Sequence, residues 1–373
     1  MKFSIEQKCI DKGVKLTKLP SLDLYSYDSP LKAFNINLFK DRIDLYEWLS
    51  HLTGGFSEPY TFGERMARWG KENHSKYDVV HDNQTLAWGL LKLRNLGMPV
   101  VGTIHHPITM DKRIDIEHAE TISLKILKWR WYSFLRMQIK VARQLNPIIV
   151  VSENTRKDLV KDFKIDPDRT RKVLHGIDHK TFRPIENIKR KKNQMITTAS
   201  ADVPLKGLIY LIRAYDYLLK EFPDLKLVVI GKLREGPTSN ELKKRGIKDR
   251  VKFITDLTSD EIAELYAEST LAVSPSVYEG FGFPAGEAMS CGIPLVSSNG
   301  GSLPEVVGDA GIIVEHSNPK ALYQGIKDLL NNEDKRLEYG QRGRERVLKK
   351  FTWKRAAEEL VGVYKEAIIS ANN

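Results

Sequence analysis

Short, continuous apolar runs rich in β-branched residues punctuate this chain. They lie at residues 79–80, 100–104 and 148–151 in the first half. In the second half they lie at 195–199, 225–230, 251–254, 271–274, 294–297 and 312–314. Runs of this length are too short for buried helices, and they do not alternate with polar residues, so they predict strands covered on both faces. Helix-length segments such as 206–221, 258–268 and 318–331 separate them. Strands alternating with helices imply parallel sheets with helices on both faces. With 373 residues there is material for two such domains. The expected fold class is therefore α/β, with two doubly wound, Rossmann-like domains facing a cleft. Ligands of such sheets sit outside the carboxyl ends of the strands. A break is expected beside Pro184 and the base run Lys189-Arg190-Lys191-Lys192, which reads as a solvated linker.

Composition narrows the function. Hydrophobic residues make up 41% and charged residues 29%, values of an ordinary globular protein, which excludes a disordered chain, a coiled coil or a fibre. No stretch approaches the roughly 20 apolar residues of a membrane span, and the first ten residues lack the apolar core of a signal peptide. Two cysteines, Cys9 and Cys291, cannot build a disulfide framework, which points to a reducing, cytoplasmic setting.

The net charge of +11 is concentrated in two places. Residues 121–152 hold Lys125, Lys128, Arg130, Arg136, Lys140 and Arg143 and no acid. Within 121–145, Leu124, Leu127, Trp131, Leu135, Ile139 and Ala142 recur at helical spacing beside the basic stripe. A basic amphipathic helix suits an anionic membrane surface, so a peripheral position on the inner face of the plasma membrane is one expectation. Packing of the apolar stripe on a sheet is the other. Nucleic acid is not expected, because no recognised binding module accompanies the patch. Residues 335–355 hold nine bases against Glu338 and Glu345 and read as a solvated basic face.

Residues 274–291 carry the most chemistry: Ser-Pro-Ser-Val-Tyr-Glu-Gly-Phe-Gly-Phe-Pro-Ala-Gly-Glu-Ala-Met-Ser-Cys. A strand ends near Ser274, Gly280, Gly282 and Pro284 forbid regular structure, and a helix starts near Ala285. The free amides of a helix start attract phosphate or a polarised hydroxyl. Glu279 and Glu287 are eight positions apart, so one precedes the loop and one stands inside the helix. No Cys/His cluster has zinc spacing and no Asp-x-Asp suits a nucleotide-bound metal, so no cofactor and no metal are expected.

Here the chain resembles glycosyltransferase family four. Its Glu-x7-Glu signature matches Glu279 and Glu287, followed by Cys291-Gly292-Ile293-Pro294-Leu295-Val296, Gly300-Gly301 and Pro304-Glu305. The passage from Ser152-Glu153 through Lys172 to Asp178, with Phe182-Arg183-Pro184, is also similar, although His175 stands where the family usually has Asn. The resemblance implies a GT-B fold and retaining, metal-independent transfer from a nucleotide-sugar to a glycan or lipid-linked acceptor. It implies an N-terminal acceptor-side domain over 1–183 and a C-terminal donor domain over 184–351. A helix over 352–373, opened by Phe351-Thr352-Trp353, would cross back to the first domain.

The resemblance also implies roles. Lys206 matches the phosphate lysine, Glu287 the ribose-binding carboxylate, and Glu279 the residue that meets the donor sugar. Backbone groups of Phe281, Gly282 and Phe283 would meet sugar or phosphate, and Leu257 lies in the base-contacting region. His105 falls at the family's active-site histidine, while Asp82, Asn83 and His106 follow strands on the acceptor side. Two departures stand out. Ser200 occupies the place of a second diphosphate cation, for which Lys232 or Arg234 could compensate. The family's opening strand and Gly-Gly loop also have no counterpart, since Met1 to Ser21 resembles the passage after the second strand. These departures leave open another GT-B enzyme, such as a nucleotide-sugar epimerase or a phosphorylase, or a non-catalytic nucleotide-sugar-binding subunit.

Overall fold

The computed structural model describes residues 13–199 and 203–372. The chain divides into two compact units. The first comprises Met1–Gly102, Glu120–Leu145 and Ser370–Asn373, and the second comprises Thr103–Ala119 and Asn146–Ile369.

In chain order the first elements are α1 (Arg42–Leu52), α2 (Glu58–Asn73), β1 (Val80–Asn83), α3 (Trp88–Arg94), β2 (Val100–Ile104), α4 (Thr109–Glu117), α5 (Ile122–Trp131), α6 (Leu135–Ala142), β3 (Ile148–Val150), α7 (Glu153–Asp158) and β4 (Thr170–Lys172). Strands β1 to β4 make up a four-stranded sheet. Then follow β5 (Gln194–Thr198), α8 (Leu208–Leu219), β6 (Lys226–Ile230), α9 (Pro237–Arg245), β7 (Val251–Ile254), α10 (Ser259–Glu268), β8 (Leu271–Ser274), α11 (Phe283–Ser290), β9 (Leu295–Ser298), α12 (Leu303–Val307), β10 (Ile312–Val314), α13 (Pro319–Asn331), α14 (Glu333–Lys350) and α15 (Trp353–Asn372).

In the first unit, α1 starts at Asp41, whose carboxylate accepts from the Ile43 amide at 2.8 Å. This is the usual service of an N-cap aspartate. Helices α2 and α3 meet backbone to backbone: a Cβ on Gly89 would stand 1.9 Å from the Gly63 carbonyl oxygen. Residues 121–145 do not form one helix. A 3-10 turn at Tyr132–Phe134 separates α5 from α6. Leu135 and Ala142 of the expected stripe are buried, whereas Leu124 and Leu127 are exposed. The reason lies in α5 itself, where Ile122, Leu124, Ile126, Leu127, Trp129 and Trp131 are spread round the helix, so no single face can take them all.

The second unit contains a six-stranded sheet in the order β10-β9-β8-β5-β6-β7. Its pairings are parallel, with Met195 opposite Leu227 on one side and Leu271 on the other. The chain winds outward from β5 to β7 and then outward the other way from β8 to β10. The order therefore reverses between β5 and β8. In open α/β sheets the ligand crevice forms at that switch point. One core cluster gathers Leu211, Tyr215 and Ile326 with Val229 and Val273; a second gathers Ile177, Phe281, Ala288 and Val306 with Ile196 and Ala272. Adjacent strand residues supply the two clusters, which is why these strands read as unbroken apolar runs. Helix α10 opens with a capping box, in which Thr258 caps Glu261 and the Glu261 carboxylate accepts from the Thr258 amide at 2.7 Å. Strand β4 has no apolar run; Thr170, Arg171 and Lys172 pair with β3 in parallel, opposite Ile148, Ile149 and Val150.

The basic residues of 335–355 are not simply solvated. Arg344 donates to the carbonyls of Phe182 at 3.0 Å and Ser290 at 2.8 Å. Arg346 donates to Val306 and Glu305, Arg336 to Leu329 and Leu330, and Arg355 to Leu174. Their guanidiniums close carbonyls that ladders leave open. Replacing Arg344 with Met is expected to cost about 2–4 kcal/mol, because several carbonyls lose a donor at once. Arg342 is half exposed and, among the described residues, paired only with Glu338. Its replacement with Met should cost under roughly 0.5 kcal/mol. Chemical denaturation of both variants measures the difference.

Candidate functional site

The loops after β5 and β8 meet at the switch point. After β8, Pro275 to Gly282 crosses the sheet edge before α11 begins. Gly207 follows the 3-10 turn Pro204–Lys206 with φ 63°, and a Cβ there would stand 2.1 Å from the Pro275 carbonyl oxygen. The Val277 amide donates to the Leu205 carbonyl at 2.8 Å. This contact sets Lys206 beside Glu279. The Lys206 ammonium donates to Glu279 Oε1 at 2.7 Å, and the Ser276 hydroxyl donates to the same oxygen at 2.8 Å. Glu279 is the more buried partner, and Lys206 keeps some contact with solvent.

Gly282 caps α11 in the left-handed region, at φ 99°. The first-turn amides of Phe283 and Ala285 have no acceptor within the helix, and Pro284 has no amide to satisfy. One turn on from Phe283 stands Glu287. Among the described residues no hydrogen bond or ion pair meets its carboxyl group, and burial raises its pKa to about 7. The Tyr266 hydroxyl lies close to it and is itself pushed up, by burial first and the Glu287 charge second. Tyr266 also shares a 3.0 Å hydrogen bond with Thr198 at the end of β5.

A histidine pair flanks the loop. His105 Nδ1 and His175 Nε2 are 3.0 Å apart and their rings stack at 5.0 Å. His175 also stacks on Phe283 at 5.1 Å and meets Phe281 edge-on at 5.2 Å. Burial, then the neighbouring His105, lowers the His175 pKa to about 4, so His175 is neutral near pH 7. The His105 backbone is pinned: its carbonyl accepts from Thr155 at 3.0 Å, and a Cβ on Gly280 would stand 2.5 Å from that oxygen. The Ser152 hydroxyl donates to the Gly280 carbonyl at 3.0 Å. His106 turns instead to Asp111, at 2.9 Å.

The structure thus brings Lys206, Glu279, Phe281, Gly282, Phe283, Glu287 and His105 into one region of the second unit. Leu257 packs, partly buried, against the same core cluster as Phe281. Lys232 and Arg234 follow β6 and are exposed. Ser200 lies outside the described residues. Asp82 and Asn83 belong to the first unit. Asp82 is buried there, and its carboxylate accepts from the Thr85 hydroxyl and, at 3.0 Å, from the Leu86 amide. Burial raises its pKa. Among the described residues no three His, Cys, Asp or Glu side chains gather into a metal-binding group.

Comparison with known proteins gives the family. The profile described as glycosyltransferase family 4 covers residues 26–181, and that of glycosyl transferases group 1 covers 178–346. A protein named MMP alpha-(1->4)-mannosyltransferase from Mycolicibacterium hassiacum is 40% identical over 363 residues, covering 96% of this chain and 87% of the relative. The chain belongs to glycosyltransferase family 4. Solved structures share its GT-B fold. Sucrose-phosphate synthase from Thermosynechococcus elongatus aligns with TM-score 0.68 at 22% identity, over 83% of this chain and 78% of that one. Anabaena HepE in complex with UDP aligns with TM-score 0.67 at 18% identity, over 81% and 82%.

Sequence reasoning on this glycosyltransferase missed three functional neighbours. His175 was visible as a departure from the family pattern, and its stacking on His105 and Phe283 gives that departure a place. Ser276 and Thr155 carried no signal, because their partners lie in the loop of Glu279 and at the backbone of His105. The pH behaviour of Glu287 is testable without substrate. Its folded pKa, near 7, exceeds that of an unfolded Glu, so the unfolded chain releases this proton first. Stability should therefore fall as pH rises from about 4.5 to about 7 and then level off. The Glu287→Gln variant should lack this part of the slope in urea titrations across that range.

Proposed function

We propose that this glycosyltransferase is a hexosyltransferase. It moves a sugar from a nucleotide-sugar donor, with retention of anomeric configuration, to a hydroxyl of a glycan or lipid-linked acceptor. The observation that carries the reading is the Lys206–Glu279 contact at the strand switch point, in the loop that leads into the first turn of α11. The mannosyltransferase relative supports hexose transfer, and HepE, solved with UDP, supports a nucleotide-linked donor.

Each group then has a task. As the bond from sugar to diphosphate lengthens, negative charge grows on the leaving phosphate. The Lys206 ammonium and the amides of Phe281, Gly282 and Phe283 meet that charge. The Glu279 carboxylate faces the positive charge that develops on the sugar. Glu287 accepts both ribose hydroxyls, which requires its ionised form, so donor affinity should rise with pH up to about 7. Leu257 covers the base, and Ser200 adds an uncharged donor near the phosphates. His105, aimed by His175, meets a hydroxyl of donor sugar or acceptor. On the acceptor side we assign Asn83 and His106, with Asp82 holding the turn that carries Asn83. No metal takes part in this scheme. The enzyme works in the cytoplasm, peripheral to the membrane, through the basic segment 121–145.

The test is nucleotide release with a pool of glycan acceptors and UDP-, GDP- or ADP-sugars, preceded by thermal shift to choose the donor. Lys206→Ala and Glu279→Gln should each lower kcat roughly 10²–10³-fold. Donor binding without turnover by the wild type would instead identify a binding subunit.

A further inference from the structure

Helix α5 is out of keeping with the rest of the fold. None of its ten residues is buried. Ile122 is 78% exposed and Ile126 64% exposed, with Leu124, Leu127 and Trp129 also in solvent. The segment 30–40 behaves the same way, exposing Leu31, Phe34, Ile36 and Phe39. Helix α1 joins the two. Its Trp48 meets Phe34 at a tilt, 5.3 Å between ring centres, and donates to the Pro30 carbonyl at 2.9 Å. At its other end, Gly54 approaches Leu127 and Ser50 accepts from Arg130. Leu49 and Leu52 of α1 are exposed in between. The segments 29–40 and 121–145 contain no Asp or Glu, while Lys32, Lys40, Lys125, Lys128, Arg136 and Lys140 supply positive charge. Asp28 pairs with Lys32, and the acids of the joining helix and its cap, Asp41, Asp44 and Glu47, are paired with Arg68 and Arg65. An apolar surface of this extent, with bases and no acid in either segment, complements an anionic lipid surface.

Beside it opens a cavity of about 410 Å³, enclosed by α1, α2, α6 and the start of α3. Tyr46, Phe56, Tyr60 and Trp88 give it aromatic walls, and Arg136 and Lys140 reach its rim. The two bases are one helical turn apart on α6, and the Arg136 guanidinium also lies over the Trp129 ring at 5.3 Å. Ser50 and Ser133 also line it. Both hydroxyls accept from Arg130, at 3.1 and 2.9 Å, which leaves their own protons to donate. Among the described residues no carboxylate or carboxamide lines the cavity. A neutral sugar brings many hydroxyl donors and would find few acceptors here. A phosphate brings acceptors alone and meets two cations and the hydroxyls of Ser50, Ser133, Tyr46 and Tyr60, while the Ser57 hydroxyl already donates to the Glu47 carbonyl. The aromatic walls suit an apolar stem attached to it.

We propose that the first unit holds a lipid-phosphate seat: the aromatic cavity takes the phosphate head of an anionic lipid from the membrane on which α5 and residues 30–40 rest. The seat depends on the peripheral-membrane part of the function proposed above, and the experiment separates the two. Three probes are used with the full chain: vesicles of phosphatidylcholine with and without phosphatidic acid, soluble dihexanoyl phosphatidic acid, and inorganic phosphate. All substituted side chains are exposed, and circular dichroism checks folding.

The wild type should bind vesicles containing phosphatidic acid roughly tenfold or more tightly than phosphatidylcholine alone. It should bind the soluble lipid and bind inorganic phosphate far more weakly. Ile122→Ser with Ile126→Ser should lose vesicle binding and keep the soluble lipid. Arg136→Gln with Lys140→Gln should lose the soluble lipid. Equal binding of the soluble lipid by wild type and the Arg136/Lys140 variant overturns the seat and leaves membrane binding standing. Soluble binding with no vesicle binding overturns the membrane source. Phosphate binding as tight as lipid binding overturns the role of the aromatic walls. A dimer that the Ile122/Ile126 variant dissociates, with no vesicle binding, assigns the surface to a second copy and overturns the proposal.

Discussion

The main-chain carbonyl of Glu279 is the point on which the candidate site depends. It accepts from both the amide and the hydroxyl of Ser302, each at 2.9 Å. That approach is open only because Gly301 has no side chain: a Cβ there would stand 2.2 Å from the same oxygen, at a φ of 61°. Gly300 allows the equivalent approach to Ser276, Gly207 to Pro275 and Gly280 to His105. Four glycines thus let loops from four parts of the sequence touch main chain to main chain. The loop between β8 and α11 is fixed by backbone geometry, and its side chains inherit that order.

Glu279 in this loop and Glu287 in the helix that follows it then diverge by environment alone. Glu279 has a cation and a hydroxyl on one oxygen, so its charge is compensated before any substrate arrives. Glu287 has burial without compensation and holds its proton to about pH 7. Carboxylates with opposed surroundings take opposed roles.

Much of this was legible beforehand, and the failures have physical reasons. Strands β5 to β10 were readable because both their faces are covered, which writes them as unbroken apolar runs. Strand β4 was not, because Thr170, Arg171 and Lys172 are paired by backbone bonds that leave no apolar trace. Glu279, Glu287 and Lys206 were legible as a pattern, but the 2.7 Å contact of Lys206 with Glu279 was not, since it depends on Gly207 meeting Pro275 across 68 positions. The bases of 335–355 read as a solvated face because the targets of Arg344 and Arg346 are carbonyls, which every residue has. The segment 121–145 read as one helix because a 3-10 turn at Tyr132–Phe134 costs the helical periodicity almost nothing.

Arg344 has a consequence beyond its hydrogen bonds. It sits on the last carbonyl of α11, the short helix whose first turn faces the Glu279 loop. A peptide dipole runs from that loop to Arg344, its positive end toward the loop. The guanidinium covers the negative end and is half-buried, its own pKa lowered chiefly by that burial. Eight residues of helix therefore act as a polarised rod with a fixed counter-charge at its back. An anion arriving at the front completes an array that the fold has already half assembled.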